Sequence, residues 1–386
     1  MVRSTVAHVD LSALQHNFRA IQSFLAARSP AGRRPPEIVA VVKANAYGHG
    51  ARHVAVALER AGARMMACAD IEEGIVLRAA GVKAPILVFG ALSVSDLAGL
   101  FEYDLTPTCS TPAAARALQA SAARHGRRLR YHLKIDTGMN RLGFRHDQLD
   151  RTLPGLFGSP DLELAGVYTH FATADDPSHP LFDVQQHRFD HVLAKLAAMG
   201  VRPPLRHAAN SAALLRDERT WFDLVRPGIL LYGVTPGGGV GLKPDSTCSL
   251  PLRPVLSLKS RVVAVKNVRP GESVGYGGRF VAGGPRTIAT VPAGYADGLD
   301  TRLSGRGQVL VGGRRVPIVG AVSMDMLAID ATGIPVNPGE EVVFLGGQAG
   351  ARIDVEEMAG WLGTIPYEIL CRIGSRIERV YDAAAS

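Results

Sequence analysis

The stretch EIVAVVKANAYGHG, residues 37–50, indicates the fold of the first half of the chain. It runs five apolar residues, 38–42, into Lys43 and closes on a loop that contains Gly48 and Gly50. A short apolar run is typical of a strand buried on both faces, as in a parallel sheet. An ammonium group at the end of such a strand lies either at the surface or in a pocket, where burial lowers its pKa and makes it a usable amine.

Seven further apolar runs follow, and segments with helical spacing of apolar residues separate them. Repeated βα units of this kind favour a closed (β/α)8 TIM barrel, an α/β fold. The eight runs are residues 38–44, 65–70, 84–90, 104–109, 130–136, 162–170, 205–210 and 224–233.

The composition changes after residues 235–254, a stretch rich in Gly and Pro that we interpret as a linker. Five segments beyond it, between residues 255 and 347, have the pattern of strands separated by Gly-containing turns. We therefore predict a barrel over residues 1–240, whose first residues pair with the second domain, and a mainly β C-terminal domain over residues 241–386.

Composition excludes several classes of protein. With 386 residues, of which 47% are hydrophobic, the chain can bury a large core, and it contains no run of about 18 uncharged apolar residues. We predict no membrane partner and, because no secretory signal is evident, a cytoplasmic location. The net charge of +8 comes from scattered arginines, so we predict no nucleic-acid partner. The widely spaced cysteines argue against a structural metal or a disulfide framework; they are Cys68, Cys109, Cys248 and Cys371.

Polar residues close the predicted barrel strands, where barrel enzymes carry their chemistry. The loops after strands seven and eight are a common phosphate site, and here they offer a hydroxyl and a Gly that lets backbone N–H groups approach. A phosphate pocket opposite a strand-end lysine suggests pyridoxal phosphate bound as a Schiff base, although a sugar-phosphate aldolase has similar parts. The residues of this set are Lys43, Lys134, Asp136, His170, Asn210, Ser211, Arg226, Gly228 and Ile229.

Eight motifs together resemble those of the alanine racemases, which are fold-type III pyridoxal-phosphate enzymes. The resemblance covers essentially the whole chain and implies a homodimer whose active sites use both chains. The motifs are AVVKANAYGHG, HLKIDTGMNRLGF, GVYTHFATAD, HAANSAA, RPGILLYG, VPAGYADG, VGAVSMDM and IPYEIL, in that order.

The resemblance also implies roles for individual residues. Lys43 would hold the cofactor and act as one catalytic base, and Tyr295 of the partner subunit would be the second. A tyrosine is a good base near neutral pH only where positive charge favours its phenolate, and His170 and Arg226 are the candidates to supply that charge. Arg226 would also face the pyridine nitrogen. The remaining cofactor-binding residues would be Tyr47, His170, Asn210, Ser211, Gly228, Ile229 and Tyr367.

Substrate recognition and entrance are assigned in the same way. Arg141 would bind the substrate carboxylate with help from the Met324 backbone, and Asp325 would act behind them. The position of Lys134 matches one that is carbamylated in many members of the family. We assign the substrate entrance to Asp175, Tyr276 and Ala321, and the last of these stands where an arginine is frequent in the family.

Three alternatives remain beside alanine racemase. One is a racemase of the same fold with broader specificity, which Ala321 makes worth testing. The second is a fold-type III decarboxylase, against which Arg226 argues, because those enzymes usually place a carboxylate at the pyridine nitrogen. The third is a non-catalytic pyridoxal-phosphate carrier, which would lack the β domain and the GYADG tyrosine. Whether the enzyme makes D-alanine for the cell wall or degrades it is left open.

Overall fold

The structure, a computed structural model, describes residues 4–92, 96–239 and 250–382. It divides into two compact units. The barrel unit comprises Gln15–Ala46 and Ala51–Leu252, and the β unit comprises Met1–Leu14, Tyr47–Gly50 and Arg253–Ser386. Residues 240–249 of the predicted linker, with Cys248, lie outside the described residues.

Strands and helices alternate through the first part of the chain. In order they are β1 (Val6–Asp10), α1 (Leu11–Arg28), β2 (Glu37–Val41), α2 (Lys43–Tyr47), α3 (Ala51–Arg60), β3 (Met65–Cys68), α4 (Ile71–Ala79), β4 (Ile86–Val88), α5 (Ala98–Glu102), β5 (Thr106–Cys109), α6 (Pro112–His125), β6 (Leu129–Asp136), β7 (Phe144–Arg145), α7 (Leu149–Thr152), α8 (Pro154–Phe157), β8 (Leu162–Tyr168), α9 (Leu181–Ala198), β9 (Leu205–Asn210), α10 (Ser211–Arg216) and β10 (Leu224–Arg226).

Eight of these strands pair in parallel and form a closed ring. The order around the ring is β2, β3, β4, β5, β6, β8, β9, β10 and back to β2, so each of the eight apolar runs contributes one strand. Strands such as β4, all of whose residues are buried, explain why the runs are continuously apolar rather than alternating. The predicted (β/α)8 barrel is therefore confirmed.

Some helices around the barrel, α6 among them, begin or end at recognisable capping residues. The side chain of Thr111 accepts from the backbone N–H of Ala114 at the start of α6, and Gly126 ends that helix in the left-handed conformation with φ of 58°. Asn210 caps α10 in the same way as Thr111, by accepting from Ala213. These caps fix where each helix leaves its strand, and so they define the loops at the carboxyl ends of the barrel strands.

The first and last barrel strands are shorter than their apolar runs. Strand β2 ends at Val41, because Ala44, Asn45 and Ala46 adopt left-handed backbone angles with φ of 52°, 51° and 54°. Strand β10 ends at Arg226, and a 3-10 turn over Ile229–Tyr232 follows. Apart from the exposed Ala44, the apolar residues of both extensions are buried but lie outside the strands, a distinction that hydrophobicity alone does not make.

The β unit is built on one large sheet. Its elements beside β1 are β11 (Leu256–Arg261), β12 (Ala264–Val268), β13 (Ser273–Val274), β14 (Phe280–Val281), β15 (Arg286–Val291), β16 (Gln308–Val311), β17 (Arg314–Val319), β18 (Leu327–Asp330), β19 (Glu341–Gln348), β20 (Ala351–Ile353), α11 (Val355–Leu362), α12 (Pro366–Arg372) and β21 (Glu378–Asp382). The strand order in the sheet is β12, β15, β18, β17, β16, β19, β11, β1, β21, and β20 also pairs with β19, so the predicted mainly β domain is confirmed. Strand β1 pairs antiparallel with β11 and parallel with β21.

Two global features bear on function. Within the described ranges, no helix has the length and apolar character needed to cross a bilayer. The same ranges hold no cluster of three or more His, Cys, Asp or Glu side chains arranged to bind a metal ion. Of the described cysteines, Cys68 and Cys109 are buried, whereas Cys371 is exposed on α12.

Candidate active site

Basic side chains predicted from the sequence lie at the carboxyl ends of the barrel strands. Lys43 follows β2, Lys134 lies near the end of β6, and Arg226 is the last residue of β10. His170 follows β8 by two residues, and Asn210 ends β9. All parallel strands of a barrel end on the same face, so the fold gathers these residues at one mouth.

The positive charges at this mouth influence one another. The pKa of Lys134, 6% exposed, falls to about 8, chiefly through burial and then through the charges of Arg141, Arg226 and Lys43. Asp136 opposes this shift, and its Oδ1 accepts from two backbone N–H groups of the turn that leads to Arg141. Four basic side chains thus share a site with one carboxylate, an arrangement that favours an anionic ligand.

Arg226 is the most completely buried of these cations, with 3% of its surface exposed. Nη1 donates to Nδ1 of His207 at 2.8 Å, and Nη2 donates to the carbonyl oxygens of Thr169 and Ala208, each at 2.8 Å. Burial lowers the pKa of Arg226 to about 10, so the guanidinium is still charged near neutral pH. These acceptors compensate for the loss of water around a buried cation.

His170 lies next to Arg226, whose Nη2 is 3.3 Å from its Nδ1. Burial, and then the charges of Arg226, Lys134, Arg141 and Lys43, hold the pKa of His170 well below its ordinary value. The imidazole is therefore neutral at physiological pH. This environment disfavours the positive charge that the sequence suggested for His170, and of the two candidates Arg226 retains its charge.

Three buried residues that the sequence analysis did not single out surround Arg226. Nε2 of His207 is 2.8 Å from Nδ1 of His132. The ring of Tyr168 stacks on His207 with centroids 4.7 Å apart, and the Arg226 guanidinium lies 5.2 Å from the Tyr168 centroid. A usable signal was present for His132, because it stands two residues before Lys134 and so points to the same face of β6.

The loops after the seventh and eighth barrel strands carry the predicted phosphate ligands. Ser211 begins α10, and Gly228 immediately precedes the 3-10 turn Ile229–Tyr232. The backbone N–H of Gly228 donates to Oγ of Ser211 at 2.9 Å, so it binds this hydroxyl rather than pointing freely at a ligand. The Ser211 hydroxyl proton and the backbone of Ile229 remain the donors suited to a phosphate.

Lys43 opens a turn with unusual backbone geometry. The left-handed turn, Lys43–Tyr47, has positive φ at four residues that are not glycine: Ala44, Asn45, Ala46 and Tyr47. For residues with a Cβ this conformation costs roughly 1–2 kcal/mol each, although asparagine tolerates it better. Such strain persists only where surrounding contacts hold it, and it is concentrated at functional sites.

The β unit places Tyr295 beside Met324. The backbone N–H of Tyr295 donates to Ser323 and that of Ala296 donates to Met324, at 3.0 and 3.1 Å. Gly294 permits this contact, since a Cβ there would lie 2.2 Å from the Ser323 oxygen. Tyr295 is 46% exposed in the single chain. The sequence motifs GYADG and VSMDM are therefore brought together by the fold.

The other predicted residues divide between the units. In the β unit, the rings of Tyr47 and Tyr367 are 6.0 Å apart, and Ala321 lies beside Gly275, the residue before Tyr276. Asp175 belongs to the barrel unit.

Asp325 of the β unit has a partner that the sequence analysis missed. Its carboxylate accepts from Arg376 at 2.6 Å, and this arginine also lies 3.6 Å from the buried Asp297 of the GYADG turn. Arg376 thus links the loop that carries Met324 to the turn that carries Tyr295.

Comparison with known proteins gives a consistent picture. Residues 9–236 match the family described as alanine racemase, N-terminal domain, and residues 255–381 match alanine racemase, C-terminal domain. The alanine racemase of Symbiobacterium thermophilum is 42% identical over 381 residues, which are 98% of this chain and 97% of that protein. The crystal structure of alanine racemase from the D-cycloserine-producing Streptomyces lavendulae is similar with a TM-score of 0.91 at 35% identity, covering 100% and 98% of the two chains. The alanine racemase of Bartonella henselae with covalently bound pyridoxal phosphate has a TM-score of 0.85 at 31% identity, covering 98% and 99%.

Proposed function

The chain belongs to the alanine racemase family, and on that premise we propose that it interconverts L-alanine and D-alanine with pyridoxal phosphate held covalently on Lys43. The observation that carries the proposal is the cationic site at the barrel mouth. There the positive charge of Lys43 contributes to lowering the pKa of Lys134 and of His170. A site with this charge suits a ligand that bears both a phosphate and a carboxylate.

The residues at the mouth fit the cofactor. Lys43 offers the amine, and the Ser211 hydroxyl with the Ile229 backbone offers donors where barrels commonly bind phosphate. We assign supporting roles toward the cofactor to Asn210 and Gly228, and we propose Tyr47 and Tyr367 as further cofactor-binding residues. Asn210 acts through the start of α10, which it caps, and Gly228 acts through its bond to Ser211. Pyridoxal phosphate, joined to an amino acid, withdraws electrons from the α-carbon and so makes its proton removable.

Two side chains move that proton. We assign Nζ of Lys43 to one face of the α-carbon and Oη of Tyr295 to the other, because removal and return on opposite faces invert the configuration. One group alone would have to cross the plane of the reacting carbon. Both groups exchange a proton at a single atom, which is ordinary general acid–base chemistry.

Arg226 gives the site a fixed hydrogen-bond donor. A guanidinium has no acceptor and does not release its proton at ordinary pH, so if it faced the pyridine nitrogen of the bound cofactor it would donate a hydrogen bond there without transferring a proton. Its fixed orientation is supported by bonds to His207, Thr169 and Ala208. His170 packs beside it as a neutral ring that excludes water.

Arg141 and the Met324 backbone are the proposed substrate contacts, and Lys134 is the proposed carbamate. The lowered pKa of Lys134 supports the carbamate, because only an uncharged amine reacts with carbon dioxide. Electron density at Nζ in a crystal of the protein tests it, and an unmodified amine there would remove the carbamate from the proposal.

We further propose a homodimer in which Tyr295 serves the partner subunit's site, in the cytoplasm. Mixing two inactive variants tests this arrangement. Dimers that carry Lys43→Ala in one chain and Tyr295→Phe in the other retain one intact site if the two bases come from different chains. After subunit exchange, such a mixture should recover about one quarter of the parental activity. No recovery from exchanged dimers would place both bases on one chain.

Chiral analysis of L-alanine incubated with the purified protein is the primary test of the activity. Formation of D-alanine by the parent, with loss in both Lys43→Ala and Tyr295→Phe, is the expected result. If both variants racemise like the parent, the assignment of the two bases fails. Alanine at position 321, beside the predicted entrance, makes a broader substrate range the second candidate, and a panel of L-amino acids that includes serine, lysine and arginine separates the two.

A further inference from the structure

The left-handed turn that begins at Lys43 needs an external support. Ala44 and Ala46 have Cβ atoms that disfavour positive φ, yet both adopt it. A turn with this composition relaxes to ordinary angles unless contacts outside it over-determine its shape. Any relaxation of the turn would move the backbone of Lys43, because Lys43 directly precedes Ala44.

Glu73, on the first turn of α4, provides such a contact. Its Oε1 accepts from the backbone N–H of Ala44 at 2.6 Å, and its Oε2 accepts from the backbone N–H of Ala69 at 2.8 Å. Ala69 follows β3 directly, and Ala44 lies three residues after the end of β2. One half-buried carboxylate therefore joins the carboxyl ends of two neighbouring barrel strands.

This geometry departs from the usual role of a glutamate at that position. Asp70 is the N-cap of α4 and accepts from the backbone N–H of Glu73 at 2.8 Å. In a capping box, the glutamate returns a bond to the N–H of the capping residue itself. Here the side chain of Glu73 instead reaches Ala69 and the separate turn at Ala44, so it binds more than its own helix.

Two further bonds join the turn to its own neighbours in sequence. The N–H of Ala46 donates to Val42 at 2.8 Å, and Oδ1 of Asn45 accepts from Ala51 at 2.8 Å. Both partners, Val42 and Ala51, lie close to the turn in the chain. The bond to Glu73 differs, because it anchors the turn to the strand end and helix that follow in the barrel.

We infer that Glu73 is a positioning residue, whose carboxylate fastens the left-handed turn to the end of β3 and thereby sets the position of Lys43. The inference rests on the proposed function, in which Lys43 holds the cofactor and moves a proton. Glu73 itself touches neither substrate nor cofactor in this assignment.

The test compares Glu73→Gln and Glu73→Asp with the control Glu72→Gln, all in the full-length protein with its cofactor. Glu72 is an exposed glutamate one residue earlier on the same helix, so the control removes the same charge from the same helix end. Glutamine keeps one acceptor oxygen and turns an NH2 group towards the second amide. Aspartate keeps the charge but is one methylene too short to reach both amides.

Hydrogen exchange of the peptide spanning residues 42–50 is the first readout. Glu73→Gln should speed exchange there about tenfold, as expected for loss of a charge-assisted hydrogen bond, with Glu73→Asp intermediate and exchange elsewhere unchanged.

The second readout is kinetic. Because Lys43 is displaced rather than the substrate pocket, kcat should fall about tenfold in Glu73→Gln while KM for L-alanine changes by less than about twofold. Glu72→Gln should match the parent in both.

Equal exchange of residues 42–50 in Glu73→Gln, Glu73→Asp and Glu72→Gln would overturn the inference. So would faster exchange of the turn with kcat unaltered, because the turn would then move without consequence for Lys43. Failure of the proposed function has a different signature, since the parent itself would hold no pyridoxal phosphate on Lys43. In that case the exchange data alone decide whether Glu73 anchors the turn.

Discussion

Nη1 of Arg226 donates to Nδ1 of His207 across 2.8 Å, and this bond determines the protonation of two buried histidines. A guanidinium cannot accept, so Nδ1 of His207 carries no proton. Burial and the charge of Arg226 hold the pKa of His207 well below its ordinary value, so the ring is neutral with its proton on Nε2. That proton is then donated to Nδ1 of His132, at 2.8 Å.

Replacing His207 should therefore destabilise the barrel through Arg226. His207→Leu removes the acceptor and leaves one N–H of a buried cation unsatisfied, which should lower the free energy of unfolding by about 1–3 kcal/mol. His207→Gln retains an acceptor oxygen and should lose less. Urea unfolding measures both, with His191→Leu on the exposed side of α9 as the control. Equal losses in His207→Leu and His191→Leu would contradict the assigned bond.

The buried histidines should also make the protein sensitive to acid. Burial, and then the charges of Arg130 and Arg226, lower the pKa of His132 to about 3, whereas an unfolded histidine titrates near about 6.5. Between these values the unfolded chain binds a proton that the folded chain does not, so stability falls as the pH falls, by up to about 1.4 kcal/mol per pH unit. His132→Phe should reduce the slope of unfolding free energy against pH between pH 6 and 4 by about this amount. An unchanged slope would show that His132 titrates normally.

Lys134 should make stability depend on pH in the alkaline range rather than the acidic range. Its folded pKa of about 8 lies below the ordinary 10.5, so below pH 8 the buried ammonium costs about 3 kcal/mol, and that cost disappears as the pH rises from 8 to 10.5. Lys134→Met should thus be more stable than the unmodified parent at pH 7, and the advantage should shrink across this window. Thermal unfolding in carbonate-free buffer measures it. Lys83→Met, at an exposed position, should show no such trend, and a pH-independent advantage would contradict the burial argument.

Gly48 should be far less tolerant of alanine than Gly62. Both have positive φ, of 81° and 104°, so both substitutions strain the backbone by roughly 1–2 kcal/mol. A Cβ at Gly48 would also lie 2.1 Å from the carbonyl oxygen of Leu370, whereas none would be met within 4 Å at Gly62. Differential scanning calorimetry should show a small fall in Tm for Gly62→Ala and a large fall, or no folded protein, for Gly48→Ala. Similar falls in Tm would mean that the backbone at Leu370 moves aside to make room for the added Cβ.

The architecture was predictable because its signal is local. Each barrel strand is a short apolar run, and helices such as α6 carry visible caps, Thr111 at one end and Gly126 at the other. The turn after Lys43 was not predictable in this way. Alanine is the strongest helix former, so nothing in Ala44 or Ala46 announces left-handed angles, which tertiary contacts impose.

The site residues also divide into those with a local sequence signal and those that depend on tertiary contacts. Lys43, Ser211 and Arg226 could be named because they end strands or begin the loops that follow them. Glu73 could not, because its partner Ala44 lies 29 residues away and its own position suggests an ordinary capping role. The neutrality of His170 was equally hidden, since it depends on burial and on charges from four other segments of the chain.

The position of β1 in the chain delays the pairing of this strand during synthesis. This strand, Val6–Asp10, pairs with β11 and β21, and β11 begins only at Leu256. At roughly 5–20 residues per second, a ribosome needs roughly 12–50 s to deliver that partner after β1 emerges. Throughout this interval β1 has no partner strand of the β unit, while the barrel is completed behind it. The sheet finally places β1 between β11 and β21, so loss of β21 by truncation would leave β1 with an open edge.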